Sequence, residues 1–145
     1  CIRCAREVLP HMRNNQWGRI IIVAGMSARV VSPISIDSGP ICGALANFGK
    51  QLANQEAGHG ILVNTIHPGP TLTPRLEWAF KHIAQKEGTT AEVPRNQMEQ
   101  RIPIGRIINP EDIANLALFL CSQGASAITG QSIGVDGGYG TGIIY

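Results

Sequence analysis

The sequence predicts an α/β fold in which a parallel sheet is covered by helices. Three observations carry that prediction. The runs "RIIIVA" (Arg19 to Ala24) and "ILVNTI" (Ile61 to Ile66) are short, apolar and rich in β-branched residues, as buried strands are. Between them Ile41, Leu45, Phe48 and Leu52 recur at helical spacing. Strands and helices then go on alternating toward the end of the chain, which is the pattern of a parallel sheet.

Taken in order, "AREVLPHM" reads as the end of a helix, closed by Pro10 and the polar "RNNQWG" turn. The first strand follows, bounded by Gly18 and Gly25. In the next helix Gly43, Ala44, Ala46, Gly49 and Ala53 are small enough to let another backbone approach closely. The second strand begins after the turn Gly58-His59-Gly60. A Pro/Thr loop leads to an amphipathic, polar stretch from Leu76 to Arg101. A further helix has Asn109 as N-cap, Pro110 at its first position, Glu111 and Asp112 in the first turn, and Ile113, Leu116, Ala117 and Leu120 facing inward. "SIGVD" is a last short strand, stopped by Gly137-Gly138.

Composition restricts the function classes. A chain of 145 residues suits one domain with a hydrophobic core, and 43% hydrophobic against 15% charged residues describes a globular protein. No apolar run approaches the roughly 18 residues that span a bilayer, so no membrane partner is expected. The 12 basic and 10 acidic residues leave a net charge of +2 with the basic ones dispersed, which gives no electrostatic case for nucleic acid. Cys1-x-x-Cys4 has metal or redox spacing, but no second Cys or His pair follows, and no metal site is expected. With Cys42 and Cys121 the cysteines fit a reducing, cytoplasmic compartment. The opening "CIRCAREVLPHM", without an initiator Met or a signal-peptide pattern, suggests a fragment of a longer protein.

A parallel sheet places its working loops at the carboxyl ends of its strands. Those are "AGMSARVVSPISIDSGPI", "HPGPTLTPR" and "GGYGTG". The first two lie side by side if their strands are neighbours. They offer hydroxyls and backbone amides but few titratable groups. His67, their only histidine, precedes a Pro-Gly turn and reads as positional.

The ordered set "GRIIIVAG", "ALANFGKQLANQEAGHGILVNTIHPGPTLTPR", "IPIGRIINPEDIANLALFLCS" and "ITGQSIGVDGGYG" resembles the C-terminal half of a short-chain dehydrogenase/reductase, over nearly the whole chain. The resemblance implies a Rossmann-like, doubly wound parallel sheet with α-β-α layers, of which residues 1–145 are the second half. It implies an NAD(P)-dependent oxidoreductase acting on a carbonyl or alcohol, assembled as a homodimer or homotetramer. Cys1 to Met12 would then end an interface helix beside the one spanning Ser38 to Gln55, and Leu76 to Arg101 would be the substrate lid. The family's Gly-rich pyrophosphate turn is missing from these residues. "TGQSIGVD" nearly imitates it, but Asp136 replaces its last Gly and the stretch opens a strand.

The resemblance also assigns site residues. Pro68, Gly69, Thr71 and Thr73 stand where the family clamps the nicotinamide of NAD or NADP, through the backbone at Thr71 and the hydroxyl at Thr73. A gapless alignment puts Gly25, Ser38 and Cys42 at the positions of the family's catalytic Ser, Tyr and Lys. Ser27, two residues on, replaces the first only if the loop is rebuilt. Neither Tyr139 nor Tyr145 has a Lys four residues later. A Ser hydroxyl is a far weaker acid than a phenol, and a neutral thiol brings no positive charge to help it. Ser38 reads instead as an N-cap, with Gly39 and Pro40 (at the first helical position) making a tight helix start, in preference to a novel proton relay. Two readings stay open: an oxidoreductase of divergent chemistry, and a catalytically inactive cofactor-binding or assembly protein.

Overall fold

Ile61–Pro68, here β2, is the strand around which the chain is arranged, and its residues are buried from Ile61 to His67. A strand buried on both faces needs a partner on each edge and a helix layer on each side. In the computed structural model, which describes residues 1–31 and 36–142, it has all of these. β1 (Gly18–Val23) pairs with it in parallel, Gly18 opposite Ile61 and Val23 opposite Ile66. β3 (Ser132–Val135) pairs in parallel on the other edge, Thr65 opposite Ser132 and Pro68 opposite Val135. The order β1-β2-β3 makes the expected Rossmann-like parallel sheet. Part of the loop after β1 (residues 32–35) and Tyr145 lie outside the described residues.

The alternation of side chains along β1 divides the core. Ile22, Ile61 and Val63 pack with Ala5 and Leu9 of α1 (Ile2–Asn14) and with Leu52 and Ala53 of α2 (Ser38–Glu56). Ile21 and Ile66 face the other way, against Ile113, Leu116 and Leu120 of α5 (Pro110–Cys121). Residues two apart on a strand share a face and neighbours do not, so one strand serves both helix layers. The structure corrects the reading of β1 as fully buried. Val23 is 57% exposed, and the edge of β1 away from β2 has no strand partner among the described residues.

α2 lies close on the sheet because Gly49 lets it. A Cβ there would stand 2.5 Å from Thr65 Oγ1 and 3.1 Å from Ile22 Cδ1. The far ends of α1 and α2 are joined by Arg13, whose guanidinium holds the Glu56 carboxylate through two bonds, one of them Nε to Oε2 at 2.8 Å. Glu56 is buried, and this bond holds its pKa below the usual carboxylate range although burial opposes that.

Two helix boundaries differ from the sequence reading. Pro10 does not close α1, which continues to Asn14. A late proline removes one ladder bond, and Leu9 and Met12 on either side of it keep the last turn packed on the core. Ser38 is not the N-cap of α2: Asp37 takes that place and Ser38 and Pro40 lie inside the first turn. Pro40 remains acceptable there because the first amides of a helix have no partner within it. The α5 cap is as the sequence predicts, with Asn109 and Asp112 forming a reciprocal capping box behind Pro110.

The stretch Leu76 to Arg101 folds as two helices, α3 (Pro74–Glu87) and α4 (Glu92–Gln100). Phe80, Ile102 and Ile107 form a third cluster with Leu72, Leu76, Met98 and Tyr139, which ties these helices to the loops at the carboxyl end of the sheet.

Candidate functional site

The carboxyl ends of β1 and β2 are neighbours, since the Ala24 amide still donates to the Ile66 carbonyl at 2.9 Å. Their following loops therefore open on one side, as the sequence predicts. His67 fixes them to each other and to β3. Its Nδ1 lies 2.8 Å from the Gly25 carbonyl oxygen and its Nε2 lies 2.9 Å from Ser132 Oγ. A carbonyl only accepts, so Nδ1 carries the proton and in the neutral ring Nε2 accepts from the Ser132 hydroxyl. Burial pushes the His67 pKa below its ordinary value, the nearby Arg29 charge adds to this, and the bond to Gly25 opposes it. Arg29 in turn donates to the Ser132 carbonyl. His67 is thus a fully buried tie between three segments.

The loop after β1 begins with a single 3-10 turn, Met26–Ala28, in which the Ala28 amide bonds back to the Gly25 carbonyl at 3.2 Å. That turn carries Ser27 back toward the start of α2. Ser27 Oγ lies 2.7 Å from Ser38 Oγ, and Ser38 Oγ lies 3.9 Å from Cys42 Sγ, a distance at which only a weak thiol bond is available. Gly25 completes the group: a Cβ built on it would lie 3.4 Å from Cys42 Sγ and 3.8 Å from Ser27 Oγ. Gly25, Ser38 and Cys42, drawn from separate segments of the sequence, are therefore brought together. Ser27 joins them through the short 3-10 turn, which carries its hydroxyl to Ser38. The Ser38 hydroxyl faces Ser27 instead of capping a backbone amide, which accounts for the shifted start of α2.

Pro68, Gly69, Thr71 and Thr73 follow at the end of β2. The Gly69 amide donates to Val135 at 2.9 Å, and a Cβ on Gly69 would come within 2.7 Å of Asp136 Cα, so the turn lies tight on the end of β3. Thr71 bridges to Ile108 through its neighbours: the Leu72 amide donates to Ile108 at 2.8 Å and the Ile108 amide donates to Pro70 at 3.0 Å. This parallel bridge turns the amide and carbonyl of Thr71 itself to the opposite side. The Thr71 hydroxyl is spent on the Gly69 carbonyl at 2.9 Å. Thr73 caps α3 by accepting from the Leu76 amide at 3.3 Å, which leaves its hydroxyl proton free to donate.

A cleft of about 320 Å³ separates the two loops, lined by Met26, Ser27, Val30, Pro68, Gly69 and Tyr139 among others. The sequence reading did not single out Tyr139 for this cleft, although it marked the "GGYGTG" loop. Asp136 places that loop, accepting from the Gly138 amide at 3.1 Å and the Gly140 amide at 2.8 Å. "TGQSIGVD" accordingly leads into β3 and its turn, where the Thr129 hydroxyl accepts from the Val63 amide at 3.1 Å. Among the described residues no helix is long and apolar enough to cross a membrane.

Comparison with known proteins agrees with this layout. A family model described as "Enoyl-(Acyl carrier protein) reductase" matches residues 1–140. The NADPH-dependent reductase BacG of Bacillus subtilis (strain 168) is 34% identical over 127 residues, covering 88% of this chain and 49% of the relative. The D-beta-hydroxybutyrate dehydrogenase of Rhizobium meliloti (strain 1021) is 34% identical over 135 residues, covering 92% of this chain and 52% of the relative. The crystal structure of L-sorbose reductase from Gluconobacter frateurii, complexed with NADPH and L-sorbose, superposes with a TM-score of 0.93 at 31% identity, over 98% of this chain and 54% of that one. The chain spans about half the length of the curated relatives it matches.

Proposed function

The chain belongs to the short-chain dehydrogenase/reductase family, and from that premise we propose that the intact protein is an NAD(P)-dependent oxidoreductase acting on a carbonyl or alcohol. One observation carries the reading to this chain's own residues. At the carboxyl end of β2 the Thr71 peptide is turned away from its bridge and the Thr73 hydroxyl keeps its proton, and the Pro68-Gly69-Pro70 turn that precedes them lines a cleft with Ser27. Those are the groups a nicotinamide carboxamide needs: a backbone donor and acceptor, a hydroxyl, and an uncharged wall. Pro68, Gly69, Thr71 and Thr73 would hold it there, and when bound in reduced form it supplies the hydride.

In this reading residues 1–145 are the second half of one domain. A preceding half carries the pyrophosphate loop and pairs with the free edge of β1. Leu76 to Arg101 closes over the substrate, α1 and α2 form a homodimer or homotetramer interface, and the protein works in the cytoplasm. The test is calorimetric titration of the full-length protein with NADH and NADPH, followed by turnover on a panel of ketones and aldehydes. Micromolar binding of either cofactor is expected, and no binding of both would overturn the reading.

A second reading rests on the helix face that begins α2. Ser38 and Cys42 stand where the resemblance puts a phenol and an ammonium, and neither group replaces them chemically. A protein that binds cofactor without turnover on the carbonyl panel would be a cofactor-binding or assembly member of the family.

A further inference from the structure

We propose that a second pocket, between the loop after β1 and the turn after β3, binds an α-amino acid as its zwitterion, with the carboxylate on Arg29 and the ammonium on Asp136. The inference uses side chains other than those given to the nicotinamide and does not depend on the cofactor reading.

The pocket has a volume of about 240 Å³, and Met26, Arg29, Val30, Gly134, Asp136 and Gly140 line it. Arg29 and Asp136 are the charged residues of that lining. They carry opposite charges, yet among the described residues neither enters an ion pair, whereas Arg13, Arg95 and Arg106 each hold a carboxylate. Backbone groups keep the two apart. Arg29 donates to the Ser132 carbonyl, while Asp136 accepts from the Gly138 amide at Oδ1 and from the Gly140 amide at Oδ2. Each has capacity left, because a guanidinium has more N–H groups than one bond uses and each carboxylate oxygen keeps a lone pair. Both charges are therefore set in place before a ligand arrives, and binding does not have to order them.

The floor between them is bare. Gly134 lies between Ser132 and Asp136 on one face of β3 and its end. A Cβ there would stand 3.6 Å from Met26 Sδ and 3.7 Å from Asp136 Cγ, in ordinary contact. The Gly140 wall is closed more tightly, since a Cβ on it would come within 2.7 Å of Met26 Cε and 3.0 Å of Asp136 Oδ2.

The charges select the ligand. A simple carboxylate would gain Arg29 but face the like charge of Asp136, and a simple amine would meet the reverse. A molecule with both groups on one carbon satisfies both side chains. Met26 and Val30 also line the neighbouring cleft, so an unbranched apolar side chain would lie along them toward it.

The experiment is calorimetric titration of the full-length protein with norleucine, hexanoate and hexylamine, which share one chain length and differ in their charged groups. Norleucine is expected to bind, and the other two to bind about tenfold more weakly, the worth of one charged hydrogen bond. Arg29→Gln, whose amide can still donate to Ser132, is expected to erase the preference for norleucine over hexylamine. Asp136→Asn, whose side-chain oxygen still accepts from the loop, is expected to erase the preference over hexanoate. Gly134→Val fills the floor, leaves both charges and suits a strand. It is expected to abolish norleucine binding without lowering the unfolding midpoint. If that midpoint does fall, the ligand preferences of the parent and of the Arg29 and Asp136 variants decide. No binding of norleucine by the parent at about 10 mM would overturn the inference, as would equal binding of hexanoate or hexylamine. So would undiminished norleucine binding in both Gly134→Val and Arg29→Gln.

Discussion

His67 donates from Nδ1 to the carbonyl of Gly25 across 2.8 Å, so the residue after β1 that opens the site is positioned by a side chain of β2. The same ring accepts from Ser132 on β3, and burial holds its pKa below the ordinary value. A histidine with a depressed folded-state pKa binds fewer protons folded than unfolded. Its contribution is complete above the unfolded pKa, about 6.5, and is lost as pH falls toward the folded one. Urea unfolding is expected to give lower stability at about pH 5 than at about pH 7.5, and His67→Phe should flatten that dependence. The variant should also lose about 1–3 kcal/mol at neutral pH, because the Gly25 carbonyl and Ser132 hydroxyl lose a buried partner. An unchanged pH slope in His67→Phe would show that other groups carry it.

Gly49 and Gly43 lie on the same helix and make opposite predictions. A Cβ at 49 would run into Thr65 and Ile22, whereas one at 43 meets nothing within 4 Å. Gly49→Ala is expected to destabilise the protein by about 1–3 kcal/mol through overpacking. Gly43→Ala is expected to gain up to about 1 kcal/mol from helix propensity. If position 43 is instead buried between copies of the chain, Gly43→Ala will shift sedimentation toward smaller species without lowering the unfolding midpoint of the monomer.

The contrast between these glycines marks what was legible in the sequence. Strand and helix positions, the parallel sheet and the α5 cap follow from periodicity and end chemistry that each segment carries by itself. Which of five small residues on α2 meets the sheet does not, because it depends on how the helix is rotated against Thr65. The site divides the same way. The Pro68 to Thr73 loop could be proposed from the sequence because it is one continuous stretch. The pairing of Ser27 with Ser38 could not, since it depends on a single 3-10 turn whose sequence, "MSA", has no distinctive signal. The place of Tyr139 in the cleft was not legible either, because Asp136 sets its turn through carboxylate bonds to the Gly138 and Gly140 amides that no motif announces.

The two threonines of the proposed nicotinamide loop should differ in kind. The Thr71 hydroxyl is internal to the turn, so Thr71→Val is expected to cost little cofactor affinity if the residue acts through its backbone. Thr73→Val removes a free donor and a helix cap together. It should weaken NADPH binding by about tenfold and lower stability by about 1 kcal/mol, with Thr73→Ser recovering both. Calorimetric titration of the full-length variants checks this, and equal losses from the two valine variants would contradict the assigned roles.

The chemistry of the α2 start can be tested by introducing the phenol and ammonium that the resemblance assigns to positions 38 and 42. Ser38 and Cys42 are four residues apart and their side chains already approach to 3.9 Å, so Ser38→Tyr with Cys42→Lys would place a phenol and an ammonium on one helix face. The ammonium would lower the phenol pKa and make it a competent proton donor. Gly25→Ser has room as well: its Cβ would meet Cys42 and Ser27 only at 3.4 and 3.8 Å, and Gly25 has an extended backbone that any residue adopts. The double variant of the full-length protein is expected to reduce ketones faster than the parent, on the order of 10²-fold for a restored general acid, and the triple variant faster again. The gain should follow the titration of the new phenol, which a merely structural change would not produce. A parent that already turns over rapidly, and in which Ser38→Ala changes nothing, would place the proton transfer elsewhere in the cleft and favour divergent chemistry over a silenced site.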